Sequence, residues 1–150
     1  MNKSEIVYVT YLAASQIEVW NALTKPELTQ RYWFETRIES DWKIGSPVIY
    51  WRGGKITDEH VVLEVKPGLL LRHTFHPVFT QEYKAELPSR VTFSLSERNR
   101  VVRLTLVHDQ FAPNSSVLAA CRTGWPMILS SLKTFLETGK PLPKFDFMEA

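Results

Sequence analysis

The stretch GWPMILSSLKTFLETGK, Gly124 to Lys140, constrains the fold more than any other part of the chain. Trp125, Ile128, Leu129, Leu132, Phe135 and Leu136 recur at the spacing of one helix face, while Ser130, Ser131, Lys133, Thr134 and Glu137 take the other. Gly139 suits the residue after a helix, and Pro141 prevents continuation. The pattern extends back to about Ser116, so a helix is expected over roughly 116–138. Pro126 removes one internal hydrogen bond at a cost of about 3 kcal/mol. Either the helix kinks there, or a turn breaks near Gly124 and the main run starts at Trp125. A helix with so wide an apolar stripe needs a surface to cover.

The preceding sequence supplies that surface. IVYVTYL, Ile6 to Leu12, is β-branched and aromatic and reads as a strand. Ser15 and Glu18 form a capping-box pattern for a short helix, which Pro26 ends while opening a second one. About six strands follow, with turns at Gly45, Gly53-Gly54, Lys66-Pro67-Gly68 and Glu97-Arg98-Asn99, and a long loop from Pro77 to Pro88. The expected class is α+β: a curved antiparallel sheet with one face covered by the C-terminal helix, and two short helices after the first strand.

Alternation along the strands assigns an inner face. Val91, Phe93 and Leu95 share a side, as do Val102, Leu104, Leu106 and His108. Leu69, Leu71, His73 and Phe75 form a third row, whereas His60 and His76 take outward parity. A β-bulge would invert such assignments.

Composition narrows the function classes. The length of 150 residues and 44% apolar content fit one domain, 1–150, with a substantial core. No apolar run reaches the ~20 residues that span a bilayer, so no membrane insertion is expected. The N-terminal MNKSEIVYVTYL lacks a leader's layout, and the single Cys121 forms no internal disulfide, so the cytoplasm is the expected location. A net charge of +2 with mixed signs carries no footprint for nucleic acid. Glycine-rich phosphate loops and the H-E-x-x-H pattern are absent, and neither a cofactor nor a metal is expected.

Five Trp and eight Phe make aromatic placement decisive. Trp33, Trp51, Phe75, Phe93 and Trp125 form either a packed core or the wall of a pocket. An empty apolar cavity of ~300 Å³ would cost ~7 kcal/mol at ~24 cal/mol per Å³, against a net stability of ~5–15 kcal/mol. Any real pocket must therefore be narrow, hydrated or occupied. His73 and His108 admit three roles: polar side chains satisfied within the inner face, donors that orient a ligand, or an acid–base pair. Cys121 reads as a buried, inert thiol. Trp42 and Tyr32 are candidates for an exposed partner surface.

VWNALTKPE, RYWFETRIESDWKIGSPVIYW, PSRVTFSL, RLTLVHDQF and GWPMILSSLKTFLETG together resemble the START-like (helix-grip, SRPBCC) superfamily. Within it the chain is similar to bacterial homologues of the C-terminal domain of the heat-shock protein 90 ATPase activator. The resemblance spans nearly the whole chain. It implies a sheet wrapped around the C-terminal helix with a cavity between, used by members for apolar ligands and by some for cyclisation or hydrolysis. It also implies a structural role for the pair His108-Asp109. The eukaryotic activators carry a further N-terminal domain that grips the chaperone, for which this chain is expected to have no room. The expected partner is a small hydrophobic or aromatic ligand, held by Trp33, His73, Phe75, Phe93, His108, Trp125, Leu129 and Leu132. Two alternatives stand beside it: a cyclase- or hydrolase-type enzyme with His73 or His108 as general base, and a co-regulator of a chaperone ATPase.

Overall fold

The computed structural model describes residues 4–144; the first three residues of the N-terminal stretch and residues 145–150 lie outside it. In chain order the elements are β1 (Ile6–Leu12), α1 (Gln16–Thr24), α2 (Pro26–Tyr32), β2 (Arg37–Glu39), β3 (Pro47–Arg52), β4 (Lys55–Lys66), β5 (Leu70–Phe75), α3 (Gln81–Lys84), β6 (Ser89–Arg98), β7 (Val101–Asp109) and α4 (Ser116–Thr138). The strands form one curved antiparallel sheet in the order β1-β7-β6-β5-β4-β3-β2, and α4 lies on its concave face. This is the helix-grip architecture.

Local chemistry explains most boundaries. Ser15 and Glu18 close the capping box reciprocally, at 3.2 Å and 2.9 Å. Pro26 occupies the first turn of α2, where its missing N–H costs nothing. Gly53 and Gly54, both with positive φ, make the two-residue turn that fits a twisted hairpin. The β6–β7 turn falls one residue later than the sequence suggests, on Asn99 and Arg100. Leu69 is exposed because it completes the Pro67-Gly68 turn and does not belong to β5.

Helix α4 runs unbroken through Pro126, so the carbonyl of Arg122 lacks its usual donor but the helix does not split. Trp125, Leu129, Leu132 and Phe135 are buried along it, and so is Ser131, which the amphipathic pattern assigned to the solvent side. Gly139 takes φ 84° and donates its N–H to the Phe135 carbonyl at 2.8 Å.

Two residues reverse their expected side. His60 is buried (1% exposed), not outward. The pairing of β4 with β5 shifts between Val62 and Glu64, so one strict alternation does not run through the strand. Asp58, His60 and Val62 therefore face inward. A second shift lies between Tyr50 and Trp51, and Tyr50 is the buried aromatic of that strand while Trp51 is only half-buried. Tyr32 is not a surface residue either: it is 1% exposed and donates its hydroxyl to the Ala22 carbonyl at 2.8 Å. Trp42 is half-buried, its indole N–H bonded to the Thr24 carbonyl.

The segment 77–88 is more ordered than a loop. Thr80 caps α3, and Glu86 then reaches the start of α4. Its carboxylate accepts from the Ser116 and Val117 N–H groups at 2.7 Å and 3.3 Å and from the Ser115 hydroxyl. An anion at a helix N-terminus satisfies orphan donors and meets the positive end of the helix dipole. Glu86→Ala is expected to lower the unfolding free energy by about 1–2 kcal/mol, and Glu86→Gln by about half as much. Urea denaturation of the two variants measures this, and equal losses would remove the charge argument.

Candidate functional site

A cavity of about 810 Å³ opens between the first half of α4 and one end of the sheet. Its floor is buried and aromatic: Tyr32, Trp33, Tyr50, Phe75 and Trp125, with Asp58 among them. The helix contributes Val117, Ala120, Cys121, Gly124, Met127, Ile128 and Ser131. These recur every three or four residues, a stripe adjacent to the core stripe of Trp125, Leu129 and Leu132. The helix thus uses one face to close the core and its neighbour to wall the cavity. Small side chains keep that wall back, and a Cβ placed on Gly124 would meet no atom within 4 Å. Exposed Arg31, Glu35, Arg52 and Lys144 ring the mouth. The volume falls within the usual range for ligand sites, ~300–1,000 Å³. Charged groups at the rim and a carboxylate in the floor make it a cavity that water can enter.

Of the eight residues expected to hold a ligand, Trp33, Phe75 and Trp125 wall this cavity. His73, Phe93, His108, Leu129 and Leu132 lie behind it in the core. The sequence reading missed Tyr50, Asp58 and the small-residue stripe of α4.

Trp125 joins the two regions. Its ring meets Trp33, Phe75 and Phe93 at 5.8, 5.7 and 5.8 Å between centroids. Its indole N–H donates to His108 Nδ1 at 3.0 Å. An indole only donates, so His108 carries its proton on Nε2, which donates to the Ser89 hydroxyl at 2.7 Å. That hydroxyl in turn donates to the Phe75 carbonyl at 3.3 Å. Both His108 nitrogens are engaged and the ring is fully buried. Burial first, then the nearby imidazoles of His73 and His60, lowers its pKa to about 3. Its neighbour Asp109 forms a two-pronged ion pair with Arg90 across the sheet, at 2.8 and 3.0 Å.

His73 donates Nδ1–H to the Thr74 carbonyl at 2.6 Å, and burial and His60 lower its pKa to about 3. The Cys121 thiol is pushed well up by burial and then by the charges of Asp58 and Glu86, so it is not a thiolate nucleophile. Burial, then the Asp58 charge, also pushes the Tyr50 phenol up, leaving it protonated. Among the described residues no three His, Cys, Asp or Glu side chains gather as a metal set, and no helix is long and apolar enough to cross a membrane.

The family described as activator of Hsp90 ATPase homolog 1-like protein matches the chain over residues 13–137. The chain belongs to that family. No curated protein matches the chain in sequence. Among solved structures, the fold of this activator-like chain is similar to that of CalU16 from Micromonospora echinospora, at 25% identity and a TM-score of 0.72, over 93% of this chain and 77% of that one. The Aha1 dimer from Colwellia psychrerythraea is 20% identical with a TM-score of 0.73, over 91% and 98% of the two chains. An Hsp90 activator from Plasmodium falciparum is 17% identical with a TM-score of 0.73, over 88% and 95%.

The two lowered histidine pKa values set an acid limit for this member of the family. Each imidazole is neutral when folded but titrates near 6.5 when exposed. Stability is thus full above pH 6.5 and falls as the pH drops from there toward 3. By about pH 5, where few carboxylates have titrated, the loss is roughly 2 kcal/mol per histidine. Urea midpoints between these pH values measure the slope, and His108→Gln, which keeps an acceptor for the indole, should reduce it by about half. A flat profile would show that the imidazoles are not held neutral.

Proposed function

We propose that this protein binds a hydrophobic or aromatic small molecule in the cavity between α4 and the sheet. The observation that carries this reading is the pairing of an aromatic floor with a helix wall in which Ala120, Cys121, Gly124 and Ser131 are small. Glycine in a helix interior costs about 1 kcal/mol relative to alanine. At Gly124 no backbone conformation or close contact demands it. What glycine supplies there is space above Trp125 and Phe75. Ligand area buried against these rings contributes about 25 cal/mol per Å², less the costs of association.

The acid–base alternative has less support. His108 has no free nitrogen, and neither His73 nor His108 walls the cavity. A chaperone-directed role is favoured by the family's description and by the Hsp90 activator among the similar folds. Stimulation of ATPase turnover by the purified protein tests it directly, and turnover unchanged at saturating protein would dispose of it.

Two substitutions at one position separate binding from folding. Gly124→Ala should raise stability by about 0.5–1 kcal/mol and preserve binding. Gly124→Leu should retain the fold but fill the cavity, so that compounds shifting the melting temperature of the unsubstituted protein in a screen of lipids and aromatic polyketides no longer do so. Equal shifts in the Gly124→Leu protein would place binding elsewhere and remove the cavity reading.

A further inference from the structure

Asp58 is the odd residue of the cavity floor. It lies on β4 opposite Tyr50, and a bridge to Pro77 covers its other flank. The residue is 6% exposed, yet it walls the cavity. A buried carboxylate ordinarily accepts two or more short hydrogen bonds or faces a cation. Among the described residues this one has neither. His60 Nε2 lies 3.5 Å from its Oδ2.

His60 has the complementary deficit. Its Nδ1 accepts the His76 backbone N–H at 2.8 Å, so the neutral ring carries its proton on Nε2. That buried nitrogen has no hydrogen-bond partner among the described residues. The ring cannot turn to find one. It is stacked on Phe75 at 4.7 Å and on His73 at 5.0 Å, with Tyr50 edge-on at 4.5 Å. The imidazole nitrogen therefore sits beside the carboxylate on the core side without completing a hydrogen bond, while the carboxylate also lines the cavity.

The geometry points to Asp58 as a polar anchor that accepts a hydrogen bond from the hydroxyl of a neutral aromatic ligand, with His60 beside the carboxylate on the core side. This rests on the binding reading above and adds the ligand's chemical class. Neutrality follows from the charges a ligand would meet. An anion would end against Asp58 in the floor. A cationic amine would pass Arg31, Arg52 and Lys144 at the mouth, with only Glu35 opposing them among the described residues that line it. A hydroxyl meets neither penalty and supplies the missing donor, whereas the same ring system bearing an ether would leave the carboxylate desolvated and unpaired.

The test compares beta-naphthol with its methyl ether and with naphthylmethylamine, by calorimetric titration at neutral pH. The unsubstituted protein is expected to bind the naphthol at least tenfold more tightly than either other probe. Asp58→Leu should bring naphthol and ether within about twofold, chiefly by weakening the naphthol. Asp58→Asn, which keeps the shape and one acceptor, should retain part of the preference and serves if the leucine variant does not fold. Equal binding of naphthol and ether by the unsubstituted protein would overturn the anchor but leave the cavity reading standing. Tighter binding of the amine would overturn the neutral class, and an unchanged preference in both variants would remove Asp58 from the site. If no probe binds and Gly124→Leu changes nothing, both readings fall.

Discussion

Everything in this molecule hangs on how high α4 stands above the sheet, and Trp125 sets that height. Its indole fills the space between helix and strands over Phe75 and Phe93, and its one polar atom is fixed by His108. The helix ends are tied separately. Glu86 holds the first turn, while Ala13 N–H on Glu137 and Lys133 on the Tyr11 carbonyl clasp the last turns to the end of β1. A rod fixed at both ends and propped by a large side chain near its middle cannot sink onto the sheet. Past Trp125 the core is closed by Leu129, Leu132 and Phe135. Before it, small residues leave the helix standing clear. The cavity is the result of that asymmetry.

The prop is useful only if it has a single orientation. Apolar packing alone is tolerant, because rings of similar size can slide without large loss. A buried N–H is not tolerant, since leaving it unpaired costs about 1–3 kcal/mol. The sequence of donors from Trp125 through His108 and Ser89 to the Phe75 carbonyl turns an adaptable aromatic cluster into one arrangement. This accounts for a polar histidine at an otherwise apolar inward position of β7, and it assigns His108 to architecture. The Arg90–Asp109 pair next to it secures the same two strands on the outer side.

The architecture was largely legible because its signals are periodic. The α4 stripe, the Ser15 capping box, Pro26 and the glycine turns each state a local geometry that tertiary structure did not override. The site was legible only in part. Trp33, Phe75 and Trp125 are large aromatics at inward positions, and such residues are as apt to wall a cavity as to fill a core. The remainder was hidden for two physical reasons. A single extra residue near Leu63 breaks the alternation along β4, so His60 reads as outward and Asp58 is not singled out. The cavity face of α4 includes Ala120, Cys121, Gly124 and Ser131, which register on an amphipathic pattern as mere absence of hydrophobicity. A row of small residues at helical spacing beside an apolar stripe was the signal available.

Several of the local rules that this chain breaks fall beside the cavity, although Trp42, Asn99, Arg100, Gln110 and Asn114 also take positive φ away from it. Gly124 and Pro126 both weaken the middle of α4, next to the cavity. The β3–β4 register shift falls at Tyr50, in the cavity floor. Phe34 and Glu35, at the mouth, adopt φ values of 49° and 62°, a region that side chains with a Cβ rarely occupy. The underpaired Asp58 and His60 lie in the floor and directly behind it. Each departure costs on the order of 1 kcal/mol or more, and packing alone offers nothing in return at these positions. Elsewhere one further register shift separates Val62 from Glu64, while α1, α3 and α4 have side-chain caps and Tyr32, Ser89 and His108 are satisfied. Departures that share one cavity are what the proposed binding role would require, with the rest of the fold compensating for them.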